Sequence, residues 1–414
     1  MSGVHHSFVA RNRLWRRLGA AVQAWPEPLS TPTFVVDLDA FDANAADLAQ
    51  RAAGTPIRVA SKSLRVPALI SRALAAPGFA GVLAYTLAEA LWLVDNDVSD
   101  DVVVAYPSVD RTALAALVAS PRAASRIAIM VDDVAHLDAV DALRASTAVP
   151  VRVAIDIDAG LRWGGQQVGP RRSPLFDVGA VTDLARLVID RPGFQLVGVM
   201  TYEGQVAGVP DSVPTQRARS AVIRKIKELS VRQLQFRRTA IGEALDALAG
   251  HGDFAGLGFW NAGGSGSIES SAADPVVTEV TAGSGLLGPT LFDHYRSFAP
   301  RPAAFFGLPV TRRPAADVAT VHGGGLIASG PTGADRAPTP WAPAGLHLTG
   351  LEGAGEVQTP LVGTNAGILA IGDLVWFRHA KSGEPFEHGR TVLLAEGDRF
   401  VEEVPTYRGH GLAF

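Results

Sequence analysis

The stretch Pro56-Ile57-Arg58-Val59-Ala60-Ser61-Lys62-Ser63 is a short apolar, β-branched run that ends in a lysine. Side chains alternate between the two faces of a strand, so Arg58, Ala60 and Lys62 share one face. If the intervening apolar side chains pack against outer helices, the shared face points into a barrel. Lys62 then lies at the carboxyl end of the strand, where barrel enzymes place their catalytic groups.

Lysine is scarce in this chain, with four residues at positions 62, 225, 227 and 381. Two of them, Lys225 and Lys227, lie in a strongly polar helical stretch. A solvated surface position is the common alternative for any lysine, but the apolar surroundings of Lys62 argue against it. A desolvated lysine amine can lose its proton near neutral pH and form a Schiff base.

Seven further apolar runs follow this first strand, and helical stretches separate most of them. Such alternation predicts a parallel sheet with helices outside it, and one of these helices should begin with a capping box at Thr86–Glu89. Eight strands close a (β/α)8 TIM-type barrel, which is the predicted α/β fold. The predicted strands are Ile57–Ser61, Gly81–Tyr85, Val102–Ala105, Ile127–Val131, Val151–Ile157, Leu196–Met200, Gly258–Asn261 and Val276–Val280.

The composition and the hydrophobic pattern of the sequence change after about Pro300, where helical periodicity is replaced by Gly, Pro and short alternating runs. This change predicts a β-rich domain. A lone strand at Thr33–Asp37 precedes the barrel and needs a pairing partner. We therefore expect residues 1–35 to pair with the C-terminal domain, residues 36–300 to form the barrel, and residues 301–414 to form the β-rich domain.

Composition excludes several classes of protein. The 414 residues include no cysteine, which excludes disulfides, thiolate metal sites and a cysteine nucleophile. The net charge of −4 argues against a nucleic-acid or membrane partner. No apolar run of about 18 residues is present to span a bilayer, and the arginine-rich first residues lack the apolar segment of a secretory signal. A cytoplasmic globular enzyme is the expectation.

Two Gly-rich turns follow the last two predicted strands, at 261–267 and 281–288. Glycine lets backbone N–H groups approach an anion, and serine hydroxyls add donors. Barrels most often bind phosphate at this position, although ordinary glycine loops are the alternative. The second turn also contains G-x-G-x-x-G, but no second strand with an acidic end follows, which argues against a dinucleotide fold. The predicted phosphate contacts are Gly263, Gly264, Ser265, Gly266, Gly283, Ser284 and Gly285.

Three other segments have candidate polar groups. Asp156–Arg162 and Tyr202–Gln205 each follow a predicted strand, so Arg162 and Tyr202 suit ligand recognition, although each is alternatively an ordinary loop residue. In the C-terminal domain, His379 and Lys381 share one side of a strand and are either site residues or a hydrogen-bonded structural pair. The basic run Arg217–Arg238 indicates an exposed helix face, with an RNA-binding stripe as the minority interpretation.

A Schiff-base lysine on the first barrel strand with a phosphate site at the last two strands is typical of a pyridoxal-phosphate barrel. The chain resembles the fold type III enzymes, the alanine racemase-like superfamily, and within it the D-threonine aldolase and D-serine dehydratase group. The matching residues are Thr31-Pro32-Thr33, Asp37, Asn44, Arg58 with Lys62, Tyr202-Glu203-Gly204 and the two glycine loops.

This resemblance implies a homodimer that binds pyridoxal 5'-phosphate through Lys62, with Arg58, Arg162, Tyr202 and the glycine loops around the cofactor. It implies a lyase acting on D-3-hydroxy amino acids, in which Lys62 moves the α-proton and His379 or a Lewis acid works on the 3-hydroxyl. Deprotonation of that hydroxyl gives retro-aldol cleavage, and assisted loss of hydroxide gives β-elimination.

The sequence departs from this family at several positions. Ala60 and Gln205 stand where the family has histidines. The family's metal pair, His-x-Cys or His-x-Asp, becomes His379-Ala380-Lys381. A protonated lysine cannot ligate a metal, so His379 is a predicted divalent-metal ligand without an identified second ligand. Either Glu384 or His388 helps, or the metal is absent and the Lys381 ammonium replaces it.

Two other functions stay open. An amino-acid racemase needs a second base, usually a tyrosine from the second domain, and Tyr407 and Tyr295 are the tyrosines available there. A non-catalytic pyridoxal-phosphate-binding protein would consist of the barrel alone, which the predicted β-rich domain argues against.

Overall fold

The computed structural model describes residues 7–144 and 149–414, which form two compact units. The first unit, the sheet unit, contains the described residues up to Ala45 together with Ser63–Leu69 and Ser284–Ala413. The second, the barrel unit, contains Ala46–Lys62, Ile70–Gly283 and Phe414. None of the helices formed by the described residues is long and apolar enough to cross a membrane.

The α-helices of the described residues are numbered in chain order. They are α1 (Phe8–Ala24), α2 (Leu38–Ala52), α3 (Pro67–Ala75), α4 (Leu87–Asp95), α5 (Arg111–Ala119), α6 (Pro121–Arg126), α7 (Val134–Asp141), α8 (Val178–Asp190), α9 (Gly204–Ala207), α10 (Arg217–Asp246), α11 (Ile268–Ala272) and α12 (Ser284–Leu287). Short 3₁₀ turns lie at Ser61–Ser63, Thr290–Phe292, Ala334–Arg336, Ala366–Ile368 and Glu384–His388.

The strands are numbered in the same way. They are β1 (Thr33–Asp37), β2 (Ile57–Ala60), β3 (Phe79–Ala84), β4 (Val102–Val104), β5 (Ile127–Val131), β6 (Val151–Ile157), β7 (Leu161–Trp163), β8 (Gln166–Val168), β9 (Phe194–Thr201), β10 (Phe259–Ala262), β11 (Glu279–Ala282), β12 (Ala304–Ala315), β13 (Val318–His322), β14 (Thr339–Ala342), β15 (Leu346–Leu348), β16 (Gln358–Gly363), β17 (Leu374–Arg378), β18 (Thr391–Glu396) and β19 (Arg399–Pro405).

A closed parallel barrel forms the core of the barrel unit. Its strands follow the order β2-β3-β4-β5-β6-β9-β10-β11, and β11 pairs with β2 to close the ring. Inward-facing apolar residues fill the interior, as expected of a packed barrel rather than a pore; this cluster contains Val103, Ala128, Met130, Ala154, Val197, Met200 and Phe259. The predicted (β/α)8 fold is confirmed.

Two details of the barrel differ from the sequence prediction. The last strand is Glu279–Ala282 rather than Val276–Val280, because Asp274 accepts from Val276 N and Val277 N and holds those residues in a turn. A small antiparallel hairpin, β7–β8, follows β6 and was not predicted. Its three-residue strands are too short to show a period-2 pattern.

The sheet unit contains a mainly antiparallel sheet made from both ends of the chain. Strand β1 pairs antiparallel with β12 and parallel with β18, as expected for a lone strand that needs partners. Helix α1 was not predicted; Leu18 and Ala21 pack it against a core that includes Trp376 and Phe305. The separate β-rich domain of the predicted fold is therefore confirmed, and the boundaries given for the domains stay predictions.

Candidate active site

Lys62 follows the carboxyl end of β2 in a short 3₁₀ turn. The Ser61 hydroxyl donates to the Leu83 carbonyl on the neighbouring strand β3 at 3.1 Å, which fixes the turn against the barrel. The side chain of Lys62 is half-buried, and its Nζ lies 3.2 Å from the Tyr106 hydroxyl. The amine is thus held at the carboxyl end of β2. Lys62 lies in the turn rather than in the strand, so the alternation predicted for residues 56–63 ends at Ala60.

The two glycine loops lie at the same edge of the barrel. Strands β10, β11 and β2 are consecutive neighbours and parallel, so their carboxyl ends share one edge. The loop Gly263–Ser267 follows β10, and Gly283 follows β11. Gly283 N donates to the Ser265 hydroxyl at 3.4 Å, which joins the two loops.

The first glycine loop depends on backbone conformations and close approaches that favour glycine. Gly263 has a φ of +80°, in the left-handed region. A Cβ on Gly264 would lie 3.1 Å from the Ala207 Cβ. The structure therefore brings Gly263, Gly264, Ser265, Gly266 and Gly283 to the barrel edge that carries Lys62.

A buried ion cluster around Glu203 holds the loop Gly263–Ser267 in place. Glu203 accepts from the Ser267 hydroxyl at 2.9 Å, from the Ser271 hydroxyl, and from Gly263 N at 3.4 Å. Arg238 pairs with Glu203 at 3.0 Å and with Asp274 at 3.2 Å, and all three side chains are buried. The sequence prediction of an exposed basic helix face is wrong for Lys227, Arg237 and Arg238, whose side chains are buried.

A small open cleft lies at the carboxyl ends of β4, β6 and β9. Its polar lining includes Tyr106, Tyr202, Asp156, Asp158 and Arg172, and Tyr106 links the cleft to Lys62. The Arg172 guanidinium carbon lies 5.8 Å from the centre of the Tyr106 ring and 5.6 Å from that of Tyr202. A cation over these ring faces suits recognition of an anionic ligand.

The two phenols in the cleft have opposite pKa shifts. Burial raises the pKa of Tyr202 to about 12, so this phenol stays protonated. Burial also acts to raise the pKa of Tyr106, but the Lys62 and Arg172 cations bring it below its usual value overall. Sequence analysis missed Tyr106 and Arg172. Tyr106 lies two residues after β4, and a position just after a barrel strand is a signal for a site residue. Arg172 lies in an irregular loop, which gives no such signal.

Arg58 faces a different part of the barrel. Its guanidinium makes two 2.7 Å bonds to Glu279 and one of 2.9 Å to Asp101, at the amino ends of β11 and β4. Burial acts to lower the pKa of Arg58, but these carboxylates raise it overall. In the structure Arg58 therefore belongs to a buried ion cluster with Glu279 and Asp101. Its predicted contact with the cofactor stays a prediction.

Arg162 lies on the hairpin strand β7, and nearly half of its side chain is exposed. Its guanidinium stacks on Phe176 at 3.5 Å from the ring centre and lies 3.8 Å from the Asp158 carboxylate. It is not among the residues that line the cleft. Its predicted cofactor contact stays a prediction.

In the sheet unit, His379 is fully buried and its Nε2 lies 3.1 Å from the Ser382 hydroxyl. Burial, with the neighbouring Arg378 cation, lowers the pKa of His379 to about 3. Lys381 pairs instead with Glu384 at 2.7 Å and with the Ser329 hydroxyl. Across residues 7–144 and 149–414, no group of three or more His, Asp or Glu side chains is arranged to hold a metal ion. These side chains do not fit the predicted metal.

Ser284 belongs to the sheet unit, where its hydroxyl lies 2.9 Å from that of Ser63 and its carbonyl accepts from Ser382 at 3.3 Å. Gly285 follows it in α12 and is buried. Their predicted phosphate contacts stay predictions.

Comparison with known proteins agrees with this architecture. Residues 36–289 match the family model for the alanine racemase N-terminal domain. A D-threonine aldolase from Arthrobacter sp. is 28% identical over 258 residues, which are 62% of this chain and 60% of that protein. The match thus spans less than two thirds of the length of this curated relative.

Solved structures share the fold at low identity. D-threonine aldolase from Filomicrobium marinum superposes with a TM-score of 0.69 and 20% identity, covering 93% of this chain and 98% of the other. D-threo-3-hydroxyaspartate dehydratase from Delftia sp. HT23 gives a TM-score of 0.66 and 21% identity, covering 91% and 97%. The resemblance inferred from the sequence is confirmed. Since the family model matches more than half of its residues, the chain belongs to the alanine racemase N-terminal domain family.

Proposed function

We propose that this protein is a pyridoxal-phosphate-dependent lyase that acts on D-3-hydroxy amino acids. One observation supports the proposal above all: Lys62 lies at the carboxyl end of β2, and the glycine loops follow the two strands that precede β2 in barrel order. A lysine amine and phosphate-binding loops on neighbouring strands suit a cofactor that carries an aldehyde and a phosphate.

The residues present fit pyridoxal phosphate. Lys62 has an amine for the aldehyde. The loop Gly263–Gly266 and Gly283 form the proposed phosphate site. The bonds of Gly263 N to Glu203 and of Gly283 N to Ser265 are long, at 3.4 Å, and Gly264 N donates to the Ser267 hydroxyl at 3.1 Å, so a phosphate would take the place of these partners. A side chain on Gly264 would be crowded by Ala207. When bound, the cofactor takes up the electron pair of a bond broken at the amino acid's α-carbon. Arg162, Ser284 and Gly285 are proposed as further contacts on the family resemblance alone.

The groups around the cleft have separate tasks in this proposal. Lys62 moves the proton at the substrate's α-carbon, and the Tyr106 hydroxyl orients its amine. Arg172 binds the substrate carboxylate, because no carboxylate of the described residues lies within ion-pair distance of its guanidinium. Tyr202 keeps its proton and acts as a hydrogen-bond donor.

Two reactions at the 3-hydroxyl remain within the proposed class. If a base removes the hydroxyl proton, the Cα–Cβ bond breaks and an aldehyde leaves. If an acid protonates the departing oxygen, β-elimination gives a keto acid and ammonia. The buried, neutral His379 is a weak candidate for either task, because a pKa of about 3 makes it a poor base and an unprotonated acid near neutral pH. No step is assigned to a metal.

The proposal is tested with the full chain and pyridoxal phosphate. We expect the wild type to gain visible absorbance, and reduction with borohydride to fix the cofactor at Lys62 by peptide mass. Lys62→Ala should lack this absorbance. Lys225→Ala, which removes an exposed lysine paired with Glu228, is the matched control and should behave as wild type.

Turnover is measured on a panel of D- and L-amino acids with and without chelator, and aldehyde, keto acid, ammonia and racemised product are quantified separately. Aldehyde or keto acid from D-3-hydroxy amino acids supports the proposal. Retained cofactor absorbance in Lys62→Ala, or racemised product alone, would overturn it.

Two further properties belong to the proposal. We propose that the protein is a homodimer, as the family resemblance implies, and that it works in the cytoplasm. Light scattering coupled to size-exclusion chromatography of the full chain should give twice the mass of one chain, and a single-chain mass would contradict the dimer.

A further inference from the structure

Asp156 is a buried carboxyl group that lines the open cleft. It is the second-last residue of β6, and its relative exposure is 8%. Within the described parts of the chain, no side chain or backbone N–H donates to its carboxylate, and no cation lies within ion-pair distance of it. The Ser173 hydroxyl beside it donates to the Asp156 backbone carbonyl instead. Buried carboxylates normally have hydrogen-bond partners, so this one is placed to take a partner from a ligand.

The other acids near the cleft are already engaged. The Asp158 carboxylate accepts from Gly160 N at 2.7 Å and from the Gln167 amide at 2.8 Å. Glu203 lies in the ion cluster with Arg238 under the glycine loop. Asp132, at the end of β5, lies 3.4 Å from the His136 ring. Asp156 is therefore the carboxyl group in this region whose acceptor atoms remain available to a substrate.

The charges around Asp156 favour a proton-transfer role. Burial, followed by the nearby Asp132 carboxylate, raises the pKa of Asp156 to about 7; Arg172 acts to lower it and Asp158 to raise it. Tyr106 and Tyr202 complete the polar lining of the same cleft, and Lys62 lies beyond Tyr106. A carboxyl group with a pKa near neutrality is suited to general acid–base catalysis.

We propose that Asp156 is the general base that removes the proton of the substrate's 3-hydroxyl group. This inference rests on the proposed lyase function and selects retro-aldol cleavage within it. The hydroxyl proton passes to the Asp156 carboxylate, and the electron pair of the O–H bond forms the carbonyl of the released aldehyde. The Cα–Cβ bond breaks with its pair directed toward the pyridoxal group that the proposed function supplies, and the α-carbon later regains a proton from Lys62.

The first test compares Asp156→Asn with the wild type, both loaded with pyridoxal phosphate. We expect aldehyde release from D-threonine to fall by about 100-fold or more, as for loss of a general base. Visible absorbance of the bound cofactor should be unchanged. Exchange of the α-hydrogen of D-alanine with D₂O, followed by NMR, should also persist, because this exchange uses Lys62 and involves no 3-hydroxyl.

The second test uses the pH dependence of kcat/KM, which a merely structural role would not shift. The wild-type rate should rise with pH through about 7 as Asp156 loses its proton. Asp132→Asn removes a neighbouring negative charge, so the rise should move to lower pH. Arg172→Gln removes a cation, so the rise should move to higher pH.

A third readout needs no turnover. A carboxyl group with a raised folded-state pKa stabilises the fold below its unfolded-state pKa, and this stabilisation is lost as pH rises through about 7. The thermal unfolding temperature of Asp156→Asn, relative to that of the wild type, should therefore increase between pH 4 and pH 7. A difference that does not change with pH would count against the carboxyl environment on which the inference depends.

The outcomes separate this inference from the proposed function. If the wild type binds no cofactor or leaves D-3-hydroxy amino acids unchanged, the proposed function fails. If the wild type yields keto acid and ammonia, the lyase stands and the base role of Asp156 is overturned. Undiminished aldehyde release by Asp156→Asn, or an unshifted pH profile in Asp132→Asn, overturns it equally.

Discussion

Arg58 and Lys62 are four residues apart and were predicted to share one face, yet their surroundings differ. Arg58 lies near the start of β2, whereas Lys62 lies in the 3₁₀ turn beyond its carboxyl end, so the two residues differ in height in the barrel. Arg58 lies low, among carboxylates at the amino ends of strands, and Lys62 lies at the carboxyl edge. Period-2 alternation predicts direction, whereas depth depends on how neighbouring strands are staggered.

This difference predicts that Arg58 contributes to stability rather than to cofactor binding. Arg58→Met leaves Glu279 buried without its cation, and loss of one partner of a buried pair costs about 3–5 kcal/mol. We expect a decrease of that order in the free energy of unfolding by urea, with normal cofactor absorbance in the protein that remains folded.

The matched control replaces both partners. Arg58→Met combined with Glu279→Gln removes the unpaired charge and should recover part of the lost stability. Weakened cofactor absorbance in this folded double variant would contradict the structural role and restore Arg58 as a cofactor contact.

The elements of the barrel were predicted more accurately than their ends. Apolar runs located the strands because each parallel strand is buried on both sides. Half of the predicted capping box is found at the start of α4: Thr86 Oγ1 accepts from Glu89 N at 3.0 Å, but the Glu89 carboxylate accepts from Tyr85 N rather than from Thr86 N. The shifted start of β11 depends on Asp274, which is itself held by Arg238. A contact across 36 residues leaves no local pattern in the sequence.

The loop after β10 carries a prediction at this scale. Glu203→Gln weakens the ion pair with Arg238 and removes the charge that holds the Ser267 and Ser271 hydroxyls, so the loop loses its fixed shape. We expect the affinity for pyridoxal phosphate to fall about tenfold, since hydrogen bonds to charged groups are worth about 1.5–3 kcal/mol. The affinity is measured by titrating the protein with pyridoxal phosphate and following the visible absorbance.

Glu269→Gln is the control for this prediction. It alters a carboxylate in the adjacent helix α11 that pairs with Arg51 at the surface. Its cofactor affinity should match that of the wild type. Equal affinities for Glu203→Gln and the wild type would show that the loop holds its shape without the cluster.

At the scale of the whole molecule, the sheet unit depends on strands that are distant in sequence. Removal of residues 391–414 deletes β18 and leaves β1 with β12 as its remaining partner. Asp37 N donates to the Ala303 carbonyl beside β12, and N–H groups alternate in direction along a strand, so the amides of Phe34 and Val36 face β18. We expect the amides of Phe34 and Val36 to exchange much faster with D₂O in this truncated chain, as measured by mass spectrometry of peptides. Removal of residues 406–414, which follow β19, is the control and should leave the protection of β1 largely intact. Unchanged exchange after the larger deletion would contradict the pairing.

The site residues that directly follow a strand could be predicted from the sequence, whereas those in long irregular loops could not. Lys62, Tyr202 and the glycine loops follow buried strands, so the barrel topology alone groups their positions at one edge. Arg172 enters the cleft from the irregular segment between β8 and α8, which has no periodicity. The sequence suggested His379 as a metal ligand. Only the packed sheet shows that this buried side chain has no second and third metal-ligating side chain beside it among the described residues.

The position of β1 between β12 and β18 affects how the protein is made. A ribosome releases β1 early, but both of its neighbours emerge after residue 303. The eight strands of the barrel are all synthesised within that interval, so the nascent chain can close its barrel while an apolar N-terminal strand waits for partners. Synthesis of this protein therefore includes a long period in which Phe34, Val35 and Val36 need protection from aggregation, by a chaperone or by transient packing.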